Sequence, residues 1–338
     1  MGPDRIEVEN EGLAYYVLDV FTERQLEGNP LAVVLNPGTL TTETMQDIAR
    51  ETNLSETTFI ERREPELERS EGVRVRIFTT QEELPFAGHP TLGTASLLHQ
   101  IAPEIVVDDV IKLALNVGQV PVVFEPRIEG APQWPVGGRM TQRDPEFGET
   151  LPRDEVAALT GLSVDDFDPA LSIQIVSTGT AFAIVPLRSA EALERLRVRQ
   201  DEASAFLRAR GARWFYVLGP DGSNDSPRST SSAPRRAQEG AAVYPAWRAR
   251  MQFNGGEDPA TGSAAGCAIS HLVRHGAVAP DQTIHLRQGV EMKRPSDLFL
   301  SAGLRQISEH GGASEGSVSD VRVGGSTVLV AKGRLFLP

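Results

Sequence analysis

Short runs of β-branched and aromatic residues alternate along the chain with segments that repeat apolar residues at helical spacing. Between Thr42 and Asn53 the spacing predicts a helix, and Asn is a common residue at helix ends. The charged stretch 61–72 is predicted to be a linker. Strands are predicted where an apolar run is bounded by Gly, Pro or polar residues, first at Tyr15–Phe21, Leu31–Leu35, Thr57–Ile60 and Val73–Thr79. This pattern predicts an α+β fold with many short strands.

The second half of the chain repeats this order of elements. Strands are predicted at Ile173–Val176, Ala181–Pro186 and Arg213–Leu218, and a helix before the last of them ends near Gly211. Further along, seven identical residues recur at an offset of 174 (248 − 74): Arg74 with Arg248, Arg76 with Arg250, Glu83 with Glu257, Pro85 with Pro259, Gly88 with Gly262, Ser96 with Ser270 and Leu98 with Leu272. The chain is therefore predicted to contain two copies of one structural unit.

This repeat predicts two domains with a crevice between them, where ligand sites are common. The Pro- and Gly-rich stretch 130–152 is the predicted hinge. It divides the chain into a first domain, 1–140, and a second domain, 141–325. A C-terminal strand at 326–338 is a candidate for completing the first domain. The stretch 220–242, rich in Ser, Pro, Gly and Arg, is predicted to be a flexible insertion in the second.

Composition restricts the partners of the protein. The 338 residues carry a formal net charge of −13, which argues against nucleic acid and anionic membranes, because both attract basic surfaces. A single cysteine cannot form an internal disulfide, and no apolar run is long enough for a membrane span. We expect a cytoplasmic protein whose partner is a small molecule, and a homodimer is left open.

Each half has a glycine-rich segment that opens an apolar helix, 85–93 in the first half and 257–266 in the second. Pro90 suits the first helical position, which predicts His89 as the N-cap, and Ser263 is the predicted N-cap of the second helix. A helix N-terminus attracts anions through its free N–H groups and its dipole. Two such termini facing one crevice could hold a small carboxylate, although simple capping is the alternative.

Other chemistry-bearing residues give weaker signals. Glu56, in the turn between a helix and a strand, is expected to be solvated when considered alone. His271 and His275 have the spacing of a zinc pair, but no further ligand is evident, so no metal is expected. The segment 256–263 lacks the Lys of a phosphate-binding loop, and no G-x-G-x-x-G follows a strand, so no nucleotide cofactor is expected. Cys267 is predicted to pack within a helix.

Five motifs occur along the chain in the order Phe21 with Gly28–Val34, Asn53–Thr57, Pro85–Gly93, Glu257–Ala264 and Gln288–Ser296. Together, and in this order, they resemble the motifs of the PhzF-like family of phenazine-biosynthesis isomerases. The resemblance covers nearly the whole chain apart from the insertion. It implies a diaminopimelate-epimerase-type fold, in which two pseudo-symmetric domains each wrap a mostly antiparallel sheet around a central helix.

The resemblance also implies a function. The characterised activity of the family is a cofactor-free isomerisation of trans-2,3-dihydro-3-hydroxyanthranilate, so a small anionic metabolite is the implied partner and no cofactor is needed. Matched by motif, Glu56 would be the general acid/base. A carboxylate in a closed crevice has the raised pKa that suits such a role. The substrate-binding residues would be His89, Asp258, Ser263, Gly88 and Gly262.

The residue types leave three alternatives to this function to consider. A two-thiol epimerase is excluded, because neither 76–93 nor 250–266 contains a cysteine. Ser263, His89 and Asp258 have the residue types of a hydrolase triad, although Ser263 does not lie in a G-x-S-x-G turn. A protein that binds a small metabolite without catalysis is the third, because fold alone does not establish chemistry.

Overall fold

Strands make up most of the regular structure in the computed structural model, which describes residues 12–38, 40–126, 130, 132–222, 244–253, 255–306 and 316–337. In the first half the strands are β1 Leu13–Val20, β2 Asn29–Leu35, β3 Glu56–Glu61, β4 Val73–Phe78, β5 Glu83–Leu84, β6 Val110–Leu115, β7 Gly118–Phe124 and β8 Val136–Thr141. In the second half they are β9 Glu146–Thr150, β10 Gln174–Ser177, β11 Ala181–Pro186, β12 Trp214–Pro220, β13 Ala246–Arg250, β14 Gln252–Phe253, β15 Gly256–Glu257, β16 Ile284–Gln288, β17 Ser296–Gln306 and β18 Gly316–Leu335. The α-helices are α1 Thr42–Thr52, α2 Pro65–Glu71, α3 Gly88–Ile101, α4 Arg153–Thr160, α5 Gln200–Arg208 and α6 Gly262–Arg274, and short 3-10 helices span Pro103–Ile105, Val164–Asp166 and Ala190–Arg195.

The strands of the two halves pair in the same order. β2 lies parallel to β3, β3 antiparallel to β4, β4 parallel to β6, and β6 antiparallel to β7. In the second half β11, β12, β13, β16 and β17 repeat this alternation of parallel and antiparallel neighbours. Most of the other pairings are antiparallel, including those of β1 with β2 and of β17 with β18. The predicted α+β fold class, with its internal duplication, is confirmed.

The long strand β18 joins the two halves. It pairs with β17 on one side, with β8 through Arg322–Thr327 and with β1 from Thr327 to Leu335, all antiparallel. The C-terminal strand therefore closes the sheet of the first half. The domain boundaries at 140 and 325 stay a prediction.

One long helix lies at the centre of each half. Residues 88–99 of α3 are all buried, as are residues 262–273 of α6 except the half-buried Ser263. A helix that is apolar on every face needs a core on every side, which the surrounding strands provide. Leu98 and Leu272, one from each helix, are fully buried. Each contributes about 1.5–3 kcal/mol by burial, and truncation of either to Ala would cost about 2–5 kcal/mol.

The prediction that 61–72 is a linker is wrong, and the predicted hinge 130–152 also contains regular structure. The charged stretch 61–72 contains α2, whose Glu68 is fully buried and accepts from Arg62 Nε at 3.0 and 3.1 Å, so ion pairing supports this helix where apolar periodicity is weak. The stretch 130–152 contains β8, which pairs with both β7 and β18, and β9, which pairs with β10; its role as a hinge between the domains stays a prediction.

The predicted insertion at 220–242 falls outside the described residues from 223 onward. Pro220 itself is the last residue of β12 and lies opposite Trp247. Among the described residues, no helix combines the length and apolar composition needed to cross a membrane.

Candidate active site

The two central helices meet at their first residues, Gly88 of α3 and Gly262 of α6. A Cβ added to Gly88 would lie 2.9 Å from the Gly262 Cα and 3.0 Å from the Ser263 nitrogen, and a Cβ added to Gly262 would lie 3.3 Å from the Gly88 Cα. At Gly88 the neighbouring atoms belong to backbone and cannot move aside, so glycine is required for this close approach. Both helix N-termini therefore lie together at the junction of the two halves.

His89 and Ser263 are each the second residue of their helix, two positions further in than the N-cap position that the sequence predicts. The N-caps are Ala87 and Thr261, because the backbone carbonyls of these two residues accept the first helical hydrogen bonds. The prediction that His89 and Ser263 are N-caps is therefore wrong, and neither side chain is used for capping.

The helix N-termini are also not covered by the true N-cap side chains. Ala87 has no polar side-chain atom, and the Thr261 hydroxyl donates to Asp258 Oδ2 at 2.6 Å instead of accepting from the helix. The first N–H groups of an α-helix have no partner within it and form the positive end of its dipole. Two such termini in contact form an arrangement suited to a small anion such as a carboxylate.

Asn29, the first residue of β2, connects side chains from both halves. Its Nδ2 lies 2.8 Å from Asp258 Oδ1, 2.9 Å from the Ala260 carbonyl oxygen and 3.1 Å from His89 Nδ1. The carboxylate and carbonyl oxygens can only accept, which fixes the orientation of the amide. His89 and Asp258, 169 positions apart (258 − 89), are therefore brought to one place. Chemical reasoning from the sequence missed Asn29, whose signal is the Gly-Asn-Pro turn before a strand.

Glu56, the first residue of β3, points toward the cluster that Asn29 forms with His89 and Asp258. Its Oε2 lies 3.3 Å from His89 Nε2, and the two side chains are 16% and 5% exposed. The two atoms are not aligned for a hydrogen bond, and among the described residues neither has another hydrogen-bond partner. Buried polar atoms are normally satisfied, so this pair of exceptions marks a place where a polar ligand group would fit.

Burial shifts the pKa values of Glu56, His89 and Asp258. Desolvation, with the nearby Asp258 charge as a smaller cause, raises the pKa of Glu56 to about 8. Desolvation lowers the pKa of His89 to about 3, so its imidazole is neutral at physiological pH. The pKa of Asp258 is raised to about 6 by burial, against hydrogen bonds from Thr261, Ala260 and Asn29 that favour the charged form. Glu56 can therefore hold or release a proton near neutral pH.

A hydrolase triad is not assembled. His89 Nδ1 lies 3.1 Å from Asn29 Nδ2 and Nε2 lies 3.3 Å from Glu56 Oε2, whereas this triad needs the two ring nitrogens to face Ser263 and Asp258. The Asp258 oxygens accept from Asn29 and Thr261. The alternative of a Ser263–His89–Asp258 hydrolase is therefore wrong for this geometry.

The remaining candidates of the sequence analysis contribute no catalytic group. Cys267 lies beside Thr178 and Thr180, and burial raises the pKa of its thiol to about 11, as expected of a packing residue. The rings of His271 and His275 lie with their centroids 4.4 Å apart. In the part of the chain that the structure describes, no group of three or more His, Cys, Asp or Glu could hold a metal ion.

The fold and the site define a class of protein: a two-half enzyme with an epimerase-type fold, in which buried titratable groups lie beside paired helix N-termini. A family model described as "Phenazine biosynthesis-like protein" (PhzC-PhzF) matches residues 18–333. The chain belongs to this family, and it is an isomerase. It is 34% identical over 329 residues to the trans-2,3-dihydro-3-hydroxyanthranilate isomerase of Pseudomonas aeruginosa, covering 96% of this chain and 99% of that protein.

Solved structures agree with this family. A predicted epimerase from Pseudomonas aeruginosa superimposes with a TM-score of 0.73 at 31% identity, covering 96% of this chain and all of that one. A PhzF-family protein from Bacillus anthracis gives a TM-score of 0.75 at 20% identity, covering 97% of this chain and 100% of the other. A hydroxyproline epimerase from Agrobacterium vitis, at 12% identity and a TM-score of 0.54, covers 96% of this chain and 92% of that one and shares the fold.

Proposed function

We propose that the protein is a cofactor-independent isomerase that moves a proton on a small cyclic amino or hydroxy acid related to dihydro-hydroxyanthranilate. The observation that carries the proposal is Glu56. It is a carboxyl group with a pKa of about 8, placed beside the paired helix N-termini. The Pseudomonas aeruginosa relative, named for trans-2,3-dihydro-3-hydroxyanthranilate, indicates the substrate class.

The chemistry requires one group that takes a proton and returns it. The Glu56 carboxylate removes a proton from a substrate carbon activated by a neighbouring enamine, and the electron pair of the broken C–H bond enters the π system. Protonated Glu56 then delivers the same proton to another carbon, so the product is an isomer and no other reactant is consumed. A base with a pKa near the working pH is efficient in both directions.

The other residues bind the substrate. The substrate carboxylate lies at the N–H groups of Gly88 and Gly262, beside Ser263. His89, which is neutral, contributes hydrogen bonds rather than charge, and Asp258 accepts from a substrate amino or hydroxyl group. The protein thus holds an anion with helix dipoles, which agrees with its acidic composition.

The test is proton–deuteron exchange followed by NMR, in D2O, on a panel of cyclic amino and hydroxy acids. Wild-type protein should exchange a carbon-bound proton of at least one compound. Glu56→Gln keeps the shape of the side chain but removes the base, so exchange should fall about 10²–10⁴-fold while the ligand still binds. Glu61→Gln, at the other end of β3, is the matched control and should retain wild-type exchange.

Two results would count against the proposal. Binding of panel compounds without exchange by the wild-type protein would favour a metabolite-binding protein without catalysis. Wild-type exchange rates in Glu56→Gln would show that another group is the base.

A further inference from the structure

Gln288, the last residue of β16, is fully buried and makes four hydrogen bonds with its side chain. Its Oε1 accepts from the Tyr216 hydroxyl at 2.9 Å and from the Thr261 N–H at 3.1 Å. Its Nε2 donates to the Asp258 carbonyl oxygen at 2.8 Å and to Thr261 Oγ1 at 2.9 Å. The side-chain amide therefore has all its groups paired in one orientation.

This arrangement determines the direction of the next hydrogen bond. Because Thr261 Oγ1 accepts from Gln288, its own proton is available for Asp258 Oδ2, which lies 2.6 Å away. The other carboxylate oxygen, Oδ1, accepts from Asn29. Tyr216, Gln288 and Thr261 thus form a chain of hydrogen bonds that ends on the Asp258 carboxylate.

The first half of the molecule lacks this chain at the equivalent positions. Strand registers place Phe59 opposite Arg76 and Val217 opposite Arg250, which makes Thr58 the counterpart of Tyr216. The registers of β4 with β6 and of β13 with β16 make Leu115 the counterpart of Gln288. The offset of 174 gives two further counterparts: Ala87 for Thr261 and Leu84 for Asp258.

The first half therefore adopts the same fold without a chain of hydrogen bonds at these positions. Leu115 is buried at 5% exposure and fills the place of Gln288 with an apolar side chain. Burying polar groups is costly unless every one is satisfied, so a packed apolar core would be the simpler solution in the second half as well. Only the half that contains Asp258 has this chain of hydrogen bonds, which indicates that the hydrogen bonds act on Asp258.

We propose that Gln288, together with Tyr216 and Thr261, is a positioning device that fixes the orientation of the Asp258 carboxylate toward the substrate. The inference rests on the proposed function, in which Asp258 binds the substrate. Gln288 and Tyr216 act through Thr261 and are positioning residues, not catalytic ones.

The hydrogen bond from Thr261 also affects the charge of Asp258. Burial raises the pKa of this carboxyl group, and the bond opposes the rise. Glu257 faces Asp258 and raises its pKa, and the Asp258 charge in turn raises the pKa values of Glu56 and Tyr216. Asn29 donates a hydrogen bond to Asp258 and favours its charged form, and His89, beyond Asn29, is neutral. Removal of the Thr261 hydroxyl should therefore loosen the Asp258 side chain and favour its protonated form.

The experiment compares Gln288→Met and Thr261→Val with Thr261→Ser, which keeps the hydroxyl, in the full-length protein. The first two variants should reduce kcat/KM for exchange about ten-fold, and Thr261→Ser should remain close to wild type. Leu115→Met, at the counterpart position of the first half, is the matched control. In an Asp258→Asn background Gln288→Met should cause little further loss, because its effect passes through Asp258.

A second readout does not depend on turnover. The 13C chemical shift of the Asp258 carboxyl carbon, assigned by comparison with Asp258→Asn, should titrate at higher pH in Thr261→Val than in wild type or Thr261→Ser. An unchanged titration in Thr261→Val, or full additivity of Gln288→Met with Asp258→Asn, would overturn the positioning role. Failure of wild-type exchange would instead contradict the proposed function, and the titration would still decide the role of Thr261.

Discussion

Arg76 holds Glu83 through two hydrogen bonds, 2.9 Å from Nε to Oε1 and 2.6 Å from Nη2 to Oε2. Arg250 holds Glu257 through the same pairs of atoms at 2.8 and 2.6 Å. The offset of 174 that relates these residues in the sequence therefore relates an identical contact in space. In each half the pair precedes the glycine that begins the central helix, so it anchors the approach to the site.

The two ion pairs should differ in their contribution to stability. The side chains of Arg250 and Glu257 are 6% and 12% exposed, whereas those of Arg76 and Glu83 are 16% and 23% exposed. Removing one partner of a buried pair leaves the other charge desolvated, which costs about 3–5 kcal/mol, and the cost falls as water gains access. Glu257→Gln should therefore lower the free energy of unfolding more than Glu83→Gln, as measured by urea denaturation. Equal losses would contradict this.

The local pattern of apolar and polar residues correctly predicted the elements that are rich in apolar residues. The bounds of β11 are as predicted, and α1 ends where Asn53 adopts a positive φ of 50°. The helix α2 was missed because Leu67 is its only apolar residue and is itself 37% exposed. The strand β8 was missed because it contains Gly138, where a Cβ would lie 2.9 Å from the Leu92 side chain. In both cases a specific side-chain contact, Arg62 with Glu68 at α2 and Leu92 with Gly138 at β8, supports a structure that the local apolar pattern does not indicate.

The candidate site was only partly accessible from the sequence. The paired helix starts follow from the repeat, but Glu56 is unremarkable without the family resemblance, since its raised pKa arises from tertiary burial. Gln288 and Thr261 lie within two of the family motifs but were not singled out. The offset of 174 already pairs Thr261 with Ala87, whereas the contrast of Gln288 with Leu115 requires strand registers to recognise.

Replacement of Gly88 by Ala should separate the two helix N-termini. The added Cβ would lie 2.9 Å from the Gly262 Cα, and relief requires movement of backbone. Such overpacking costs about 1–3 kcal/mol, and ligand affinity should fall with it because the anion site is divided. Gly222→Ala is the matched control, since nothing lies within 4 Å of its added Cβ. Thermal unfolding and ligand titration would measure both effects, and wild-type affinity in Gly88→Ala would show that the close approach is not needed.

The stability of Glu56→Gln should differ from wild type in a pH-dependent way. The pKa of Glu56 rises from an ordinary value of 4.5 to about 8 on folding, so between these pH values the folded state binds a proton that the unfolded state has lost. The Glu56 contribution to the free energy of unfolding therefore decreases as pH rises through this range. The variant should gain stability relative to wild type from pH 5 to pH 8, on the order of a few kcal/mol. His89 titrates in both proteins, so its contribution largely cancels. A pH-independent difference would show that Glu56 is not desolvated.

Asp258→Asn should shift the pH dependence of exchange to lower pH. Glu56 must be ionised to accept a proton, so wild-type kcat/KM should rise with pH through about 8. Burial is the larger cause of this raised pKa and the Asp258 charge is the smaller one, so removal of the charge lowers the pKa without restoring its ordinary value. The comparison concerns the midpoint of the pH profile, because the variant also loses a substrate contact and its plateau should be lower.

Glu83→Gln is a suitable control for this shift, because it also removes one carboxylate but lies in the Arg76 ion pair of the first half. Its midpoint should coincide with that of the wild type if the effect of Asp258 is local. A midpoint that stays in place in Asp258→Asn would mean that burial alone sets the pKa of Glu56. A midpoint that moves to higher pH would contradict the assignment to Glu56, because a neighbouring negative charge cannot favour ionisation of a carboxyl group. The titration would then belong to a different base.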